Sequence, residues 1–162
     1  MTTTANDAGE MPGPADAAAL MDIIVGPVRV QILRGIAALH VTNHLAGGAR
    51  TAEEVAEREG SQPRATYRLM RAAASLGVLS YEGNRRFGLT GRGHLLRTGV
   101  PGSLRSFVLW QAGHALWQTT GLLPYAVRQG ASQSKNALGA DLFDYLAQPE
   151  HAEEAGQFGE AI

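Results

Sequence analysis

Cysteine is absent from the 162 residues, which excludes disulfides and thiolate-bound metals. A charge excess is missing too. Fourteen Lys+Arg stand against fifteen Asp+Glu, a net charge of −1, so nothing draws the chain generally toward nucleic acid or an anionic membrane. No stretch approaches the ~18 uninterrupted apolar residues of a membrane span. Met1 to Pro14 has no basic start followed by an apolar run, so it is not a secretory signal. Small and polar, with Gly9, Pro12, Gly13 and Pro14, it reads as a disordered leader over residues 1–14. These absences predict a cytoplasmic protein of one domain, or one small domain with an appendage.

The usual catalytic patterns are also lacking. His40 and His44 have the i, i+4 spacing that can grip a metal, but no third ligand and no H-E-x-x-H arrangement accompany them. No metal is expected, and the pair reads as a polar helix edge. Ser/His/Asp residues show no ordering that suggests a triad. Gly47-Gly48 and Gly91-Arg-Gly93 are not preceded by the buried strand that a dinucleotide-type glycine turn requires. Glu153-Glu154 reads as a charged helix face. No catalytic residue and no bound cofactor are therefore assigned to this chain.

What is present is mostly helix. Ala15 to Val25 is a short apolar segment broken at Gly26-Pro27. Val28, Ile32, Ile36 and Leu39 then recur at helical spacing, with Val30, Leu33, Ala37 and Val41 widening the apolar surface beyond one stripe. Thr51-Ala-Glu-Glu54 has capping-box spacing for a helix ending at Gly60. Ser61 and Pro63 open the next helix, which runs to about Leu76, buries Leu69, Met70, Ala73 and Leu76, and stops at Gly77. Val78–Glu82 and Arg85–Leu89 form a hairpin around Gly83-Asn84, and Thr90 caps a short helix. The predicted fold is mainly α, a winged helix-turn-helix over residues 15–100. A helical segment follows over 101–162: Ser103–Trp117, Leu122–Gln129, a polar loop Ala131–Gly139, then Asp141–Leu146 and Pro149–Ile162. The last helix has no stop signal, so the chain is expected to be the front part of something longer.

Two constellations bear on function. Arg64, Arg68 and Arg71 share one helix face and Arg85 and Arg86 sit on the wing, where a DNA reader would use them on phosphates and bases. Against that, Glu53, Glu54, Glu57 and Glu59 line the neighbouring helix and would repel phosphate. Phe107, Trp110, His114 and Trp117 lie three or four apart on one predicted helix face, either as packing or as a wall for a flat aromatic ligand.

The Thr51–Glu59 helix, Arg68-Leu-Met-Arg-Ala-Ala-Ala-Ser-Leu-Gly-Val-Leu79, the hairpin and Leu89-Thr-Gly-Arg-Gly93 resemble the N-terminal winged-helix dimerisation domain of class I small-molecule O-methyltransferases, the caffeic acid and anthracycline type. Leu123-Pro-Tyr-Ala-Val-Arg-Gln-Gly130, Gly139-Ala-Asp-Leu-Phe-Asp-Tyr-Leu146, Pro149 and Phe158-Gly-Glu-Ala-Ile162 are similar to that family's following helices. The resemblance implies a homodimer, an aromatic polyketide or phenolic acceptor, and S-adenosylmethionine in the intact enzyme, on a Rossmann-like domain that this sequence does not contain. It places Trp110, Gln111, Leu116, Leu142, Phe143, Leu146, Phe158 and Ile162 at the acceptor, with Ile162 where the family's Phe-x-x-x-Met ending has Met; His114, among the tryptophans, is added on position. The alternatives are a winged-helix DNA-binding regulator with a ligand-sensing tail and a non-catalytic dimerising relative of the enzymes. The expected dimer is centred on the Val28–Val41 helix and the Ser103–Trp117 segment, because one chain has too little left to cover their apolar residues.

Overall fold

The computed structural model describes residues 13–162. Most of the expected leader lies outside these residues. Its last two members, Gly13 and Pro14, are the cap and first residue of helix α1 (Pro14–Ile24), where proline costs no hydrogen bond. One residue, Val25, joins α1 to α2 (Gly26–Ala38). The long helix expected from Val28 to Val41 is broken. His40 adopts a left-handed φ of 45°, and a separate turn, α3 (Val41–His44), follows. Val28 is exposed rather than core-facing, and Ile36 and Val41 carry the burial.

Helix α4 (Ala52–Glu59) begins with the expected capping box. Thr51 accepts from Glu54 N–H while the Glu54 carboxylate accepts from Thr51 N–H. In helix α5 (Pro63–Ser75) the N-cap position falls to Gln62, not Ser61, and the Gln62 side chain makes no capping bond. Ser61 instead hydrogen-bonds Thr66, a buried side chain. The inward face of α5 centres on Met70 and Ala73, while Leu69 and Leu76 lie at the edge of the core.

The hairpin is β2 (Leu79–Tyr81) and β3 (Arg86–Leu89), with Leu79 opposite Leu89 and Tyr81 opposite Phe87. Gly83, Asn84 and Arg85 all take positive φ in its turn. An unexpected two-residue strand, β1 (Arg50–Thr51), adds to the free edge of β3, giving the order β1-β3-β2. Helix α6 (Gly91–His94) is capped by Thr90, which accepts from Gly93 N–H and donates to the Gly77 and Val78 carbonyls between α5 and β2. A Cβ on Gly93 would lie 2.4 Å from Val78 O, so only glycine lets α6 sit against the hairpin.

The expected Ser103–Trp117 helix is two helices, α7 (Arg105–Gln111) and α8 (His114–Gly121), meeting at Ala112-Gly113. Helix α9 (Leu123–Gln129) ends at left-handed Gly130 as expected. The expected polar loop contains α10 (Ser134–Leu138). Helix α11 (Leu142–Leu146) follows, then a 3-10 turn at Pro149–His151 and α12 (Ala152–Ala161).

Two apolar clusters hold this together. One surrounds Phe87 with Ile36, Val55, Met70 and Leu79. The other gathers Trp110, Ala115, Tyr145 and Leu146. Helix α7 serves both, Val108 in the first and Trp110 in the second. Gln31 Nε2 donates to Ala112 O and Arg105 Nε to Ala37 O, which ties α2 to the same helix.

Candidate functional site

Helices α7, α8, α11 and α12 bring five of the nine expected acceptor residues into one cluster. Trp110, Leu146, Leu116, Leu142 and Phe158 pack together. Trp110 is 6% exposed, and its ring lies 4.9 Å from that of Phe158. Phe143 stands at the rim, 6.2 Å from the Phe158 ring and edge-on to it. It is 71% exposed and Ile162 is 90% exposed. The result is an aromatic floor with Phe143 projecting beside it.

Gln111 and His114 do not join this floor, and both are exposed. The shared face expected for Phe107, Trp110, His114 and Trp117 does not exist, because the helix is interrupted at Gly113. The cause is packing. A Cβ at Gly113 would stand 2.8 Å from both Glu154 Oε1 and Leu109 O. Glu154 occupies that space and accepts the Ala115 N–H at 2.9 Å, supplying from α12 the partner that α8 lacks at its own start. His114 instead borders a polar cleft of about 250 Å³ with Arg34, Tyr145, His151 and Glu154.

Glu154 was expected to face solvent, yet it also accepts from the Tyr145 hydroxyl at 3.2 Å. Burial, and then the Glu154 charge, push the Tyr145 phenol above its usual pKa, so it stays a neutral donor. The Tyr145 ring stacks on His151 at 3.7 Å. No sequence signal marked Tyr145, since a contact between α11 and α12 has no spacing rule.

The two helix-edge histidines have a different role from the one expected. Glu59 Oε1 lies 2.5 Å from His44 Nε2 and 3.6 Å from His40 Nδ1. This joins α3 to the end of α4, while Arg105 reaches His40 Nε2 at 3.0 Å. Among the described residues no group of His, Cys, Asp and Glu could hold a metal ion.

Arg71, Arg85 and Arg86 are engaged within the protein, whereas Arg64 and Arg68 on the helix face are exposed. Arg85 donates to Glu53 at 2.6 Å and covers the Tyr67 ring at 3.9 Å. Arg71 lies over the Tyr81 ring at 4.5 Å. Arg86 bonds to Ala49 O and faces Glu54 at 3.9 Å. The Arg85 pairing holds the Glu53 carboxyl below its usual range. A wing whose arginines are committed to helix α4 offers little charge to a phosphate backbone.

S-adenosylmethionine does not fit the described residues. Their sheet is antiparallel throughout, so no glycine turn links a parallel strand to a helix. Gly93 is explained by its contact with Val78, and Gly47-Gly48 forms an open loop.

Residues 21–99 match the family model of the O-methyltransferase dimerisation domain. They are an O-methyltransferase dimerisation domain. The chain is 34% identical over 131 residues to 8-amino-8-demethylriboflavin N,N-dimethyltransferase of Streptomyces davaonensis, covering 81% of this chain and 38% of that protein. It is 34% identical over 139 residues to O-demethylpuromycin-O-methyltransferase of Streptomyces alboniger, covering 86% of this chain and 36% of the relative. The chain thus spans well under half the length of these relatives. The crystal structure of the N,N-8-amino-8-demethyl-D-riboflavin dimethyltransferase from Streptomyces davawensis superposes with a TM-score of 0.82 at 31% identity, over 93% of this chain and 44% of that one. Human N-acetylserotonin methyltransferase in complex with SAM gives a TM-score of 0.79 at 26% identity, over 94% and 46%. The likeness runs through the dimerisation domain and into the helices that carry the aromatic floor.

Proposed function

We propose that this chain is the dimer-building and acceptor-contacting part of an O-methyltransferase for an aromatic small molecule, polyketide or phenolic, working as a cytoplasmic homodimer. The supporting observation is the aromatic floor of Trp110 and Phe158 with Phe143 exposed at its rim, on a chain similar to small-molecule methyltransferases almost from end to end. In this reading residues 15–100 dimerise and 101–162 cover the acceptor. The methyl donor, S-adenosylmethionine, binds outside the described residues.

Phe143 and Ile162 offer apolar surface to one face of a flat ring, with Phe158 and Trp110 stiffening it from behind. Leu116, Leu142 and Leu146 support that wall. Gln111 and His114 contact a substituent only if the acceptor extends around the α7–α8 break. The chain contributes positioning to the reaction, which in methyl transfer is worth several orders of magnitude of rate. It brings no acid or base to it.

Calorimetry on the chain tests this division of labour. A phenolic ring such as 3-amino-4-hydroxybenzoate should give a weak heat that Phe143→Ala reduces at least threefold in affinity. S-adenosylmethionine should give none. Ordinary micromolar affinity for S-adenosylmethionine would sink the reading.

A further inference from the structure

Arg29, Arg34, Arg50, Arg85, Arg97 and Arg105 are the half-buried arginines among the described residues. All but one have a partner. Arg29 pairs with Asp22 and Arg85 with Glu53. Arg50 and Arg105 donate to the carbonyls of His44 and Ala37. Arg97 has a buried Nε without an acceptor, but its Nη1 lies 3.3 Å from His94 Nδ1. Arg34, on α2, makes no hydrogen bond or ion pair among the described residues, and its Nε too is buried without an acceptor. A charged donor left unpaired inside a protein is costly, and such a group points to a partner from outside the chain.

Arg34 stands where two clefts meet at the α7–α8 break, and both clefts share it with Gly113 and His114. The first is the polar cleft described above, walled by Glu150, Glu153 and Glu154. None of these carboxylates pairs with Arg34. The second, of about 200 Å³, lies between α2 and α8. Gln31, Arg34, His114, Trp117 and Gln118 line it beside the Ala112-Gly113 backbone, and no acidic side chain does. Trp117 is among the exposed large side chains. Trp110, Phe143 and Phe158 do not border this cleft, so it is separate from the aromatic floor.

We infer that this second cleft binds a small flat carboxylate, a single aromatic ring bearing its acid group, with Arg34 on the acid and Trp117 along the ring. The planar guanidinium matches a carboxylate side-on, through Nε and one Nη. A small turn of the guanidinium into the cleft gives the orphaned Nε its acceptor. The Trp117 ring supplies a face for stacking, and the Gln118 amide is a further donor at the rim. Charge sets the direction of entry. Glu150, Glu153 and Glu154 repel an anion from the far side of Arg34, which leaves the acid group to the Trp117 side. Size limits the rest of the ligand, because the cleft is smaller than the roughly 300–1,000 Å³ of pockets for drug-sized molecules. A bound acid bridges α2 and α8 beside the Gln31–Ala112 hydrogen bond. The site does not depend on the acceptor reading above.

The two tryptophans of the chain make the test direct. Benzoate is titrated into the chain while the two indole N–H signals are followed by NMR, with Trp117 assigned by the loss of its signal in Trp117→Phe. The expected result is a saturable shift at Trp117 with Trp110 unmoved. Arg34→Gln should weaken binding at least about tenfold, the loss of a charge-assisted pair. Benzamide, with the shape but not the charge, and inorganic phosphate, with the charge but not the ring, should each bind several-fold more weakly than benzoate. Phe143→Ala should leave benzoate affinity unchanged, which separates this site from the floor and its own test. If Arg34→Gln loses the wild-type helical circular dichroism, Arg34→Lys, which keeps the charge without the fork, takes its place and should weaken binding several-fold. A Trp117 signal that does not move, a shift at Trp110 instead, or equal affinity in a folded Arg34 variant overturns the site. Benzamide or phosphate binding as tightly as benzoate overturns the assignment of an aromatic acid.

Discussion

Glu154 of the last helix accepts the Ala115 N–H at 2.9 Å, standing where the first turn of α8 has no side chain of its own to offer. The same carboxylate accepts from the Tyr145 hydroxyl. One acidic residue therefore fixes the start of α8, the orientation of α11 and the packing of α12. Glu154→Ala should cost about 1–3 kcal/mol, the range for a partly buried donor left unpaired. Tyr145→Phe should cost less, about 0.5–1.5 kcal/mol. The double variant should fall short of the sum, since both remove one shared bond. Urea midpoints at constant slope provide the measurement. Full additivity would mean the two side chains act separately.

The same phenol predicts a pH dependence. Tyr145 is raised above its reference value, about 10, so the neutral form is the one the fold prefers. Its stability contribution is complete below the unfolded pKa and is lost as pH rises through the higher folded value. Melting temperature should therefore fall on the alkaline side, above about pH 10. Tyr145→Phe should fall less steeply there and show no difference in slope near neutrality.

Two glycines should respond in opposite directions. Gly113→Ala forces a methyl against Leu109 O and the Glu154 carboxylate, each 2.8 Å away. It should destabilise by about 1–3 kcal/mol. Gly156 lies inside α12 with nothing within 4 Å of a built Cβ. Gly156→Ala should stabilise by roughly 0.5–1 kcal/mol. Thermal unfolding of the pair checks both signs at once.

In the first core the sensitive residue is Met70. It is fully buried, whereas Leu69 packs partly buried over Gly35. Met70→Ala should cost about 2–5 kcal/mol, and Leu69→Ala measurably less. Urea unfolding that ranks Leu69 above Met70 would place the helix face one residue away from where it is drawn.

DNA should not be retained. With Arg85 and Arg86 engaged with helix α4, a mobility-shift titration should show no complex at physiological salt, and Arg68→Glu should change nothing. A salt-dependent shift abolished by that substitution would revive the regulator reading.

The winged helix was legible because each of its pieces is local. Thr51 and Glu54 sit three apart, Gly77 follows the last apolar residue of α5, and the Gly83-Asn84 turn separates two alternating runs. The breaks at His40 and Gly113 were not legible, because their causes lie elsewhere in the chain. Gly113 yields to a carboxylate 41 positions on, and His40 faces Glu59 and Arg105. Strand β1 was missed for the same reason. Two residues have no period, and only the free edge of β3 makes Arg50–Thr51 a strand. At the candidate site, Leu146 and Phe158 rested on the resemblance alone and Trp110 on resemblance and helical spacing together; the three pack in one cluster. Gln111 does not join them, because it follows Trp110 in α7 and so faces another way, and His114 does not, because the helix breaks before it.

Helix α7 is only seven residues long, yet opposite sides of a single turn feed different cores through Val108 and Trp110. Neither cluster can open without pulling on the other. The winged module and the helices after it should therefore exchange their slowest amide hydrogens as one cooperative unit, with α2 and α7 sharing the same opening free energy. A loosened aromatic floor would then register as faster exchange at Ile36, in the other cluster.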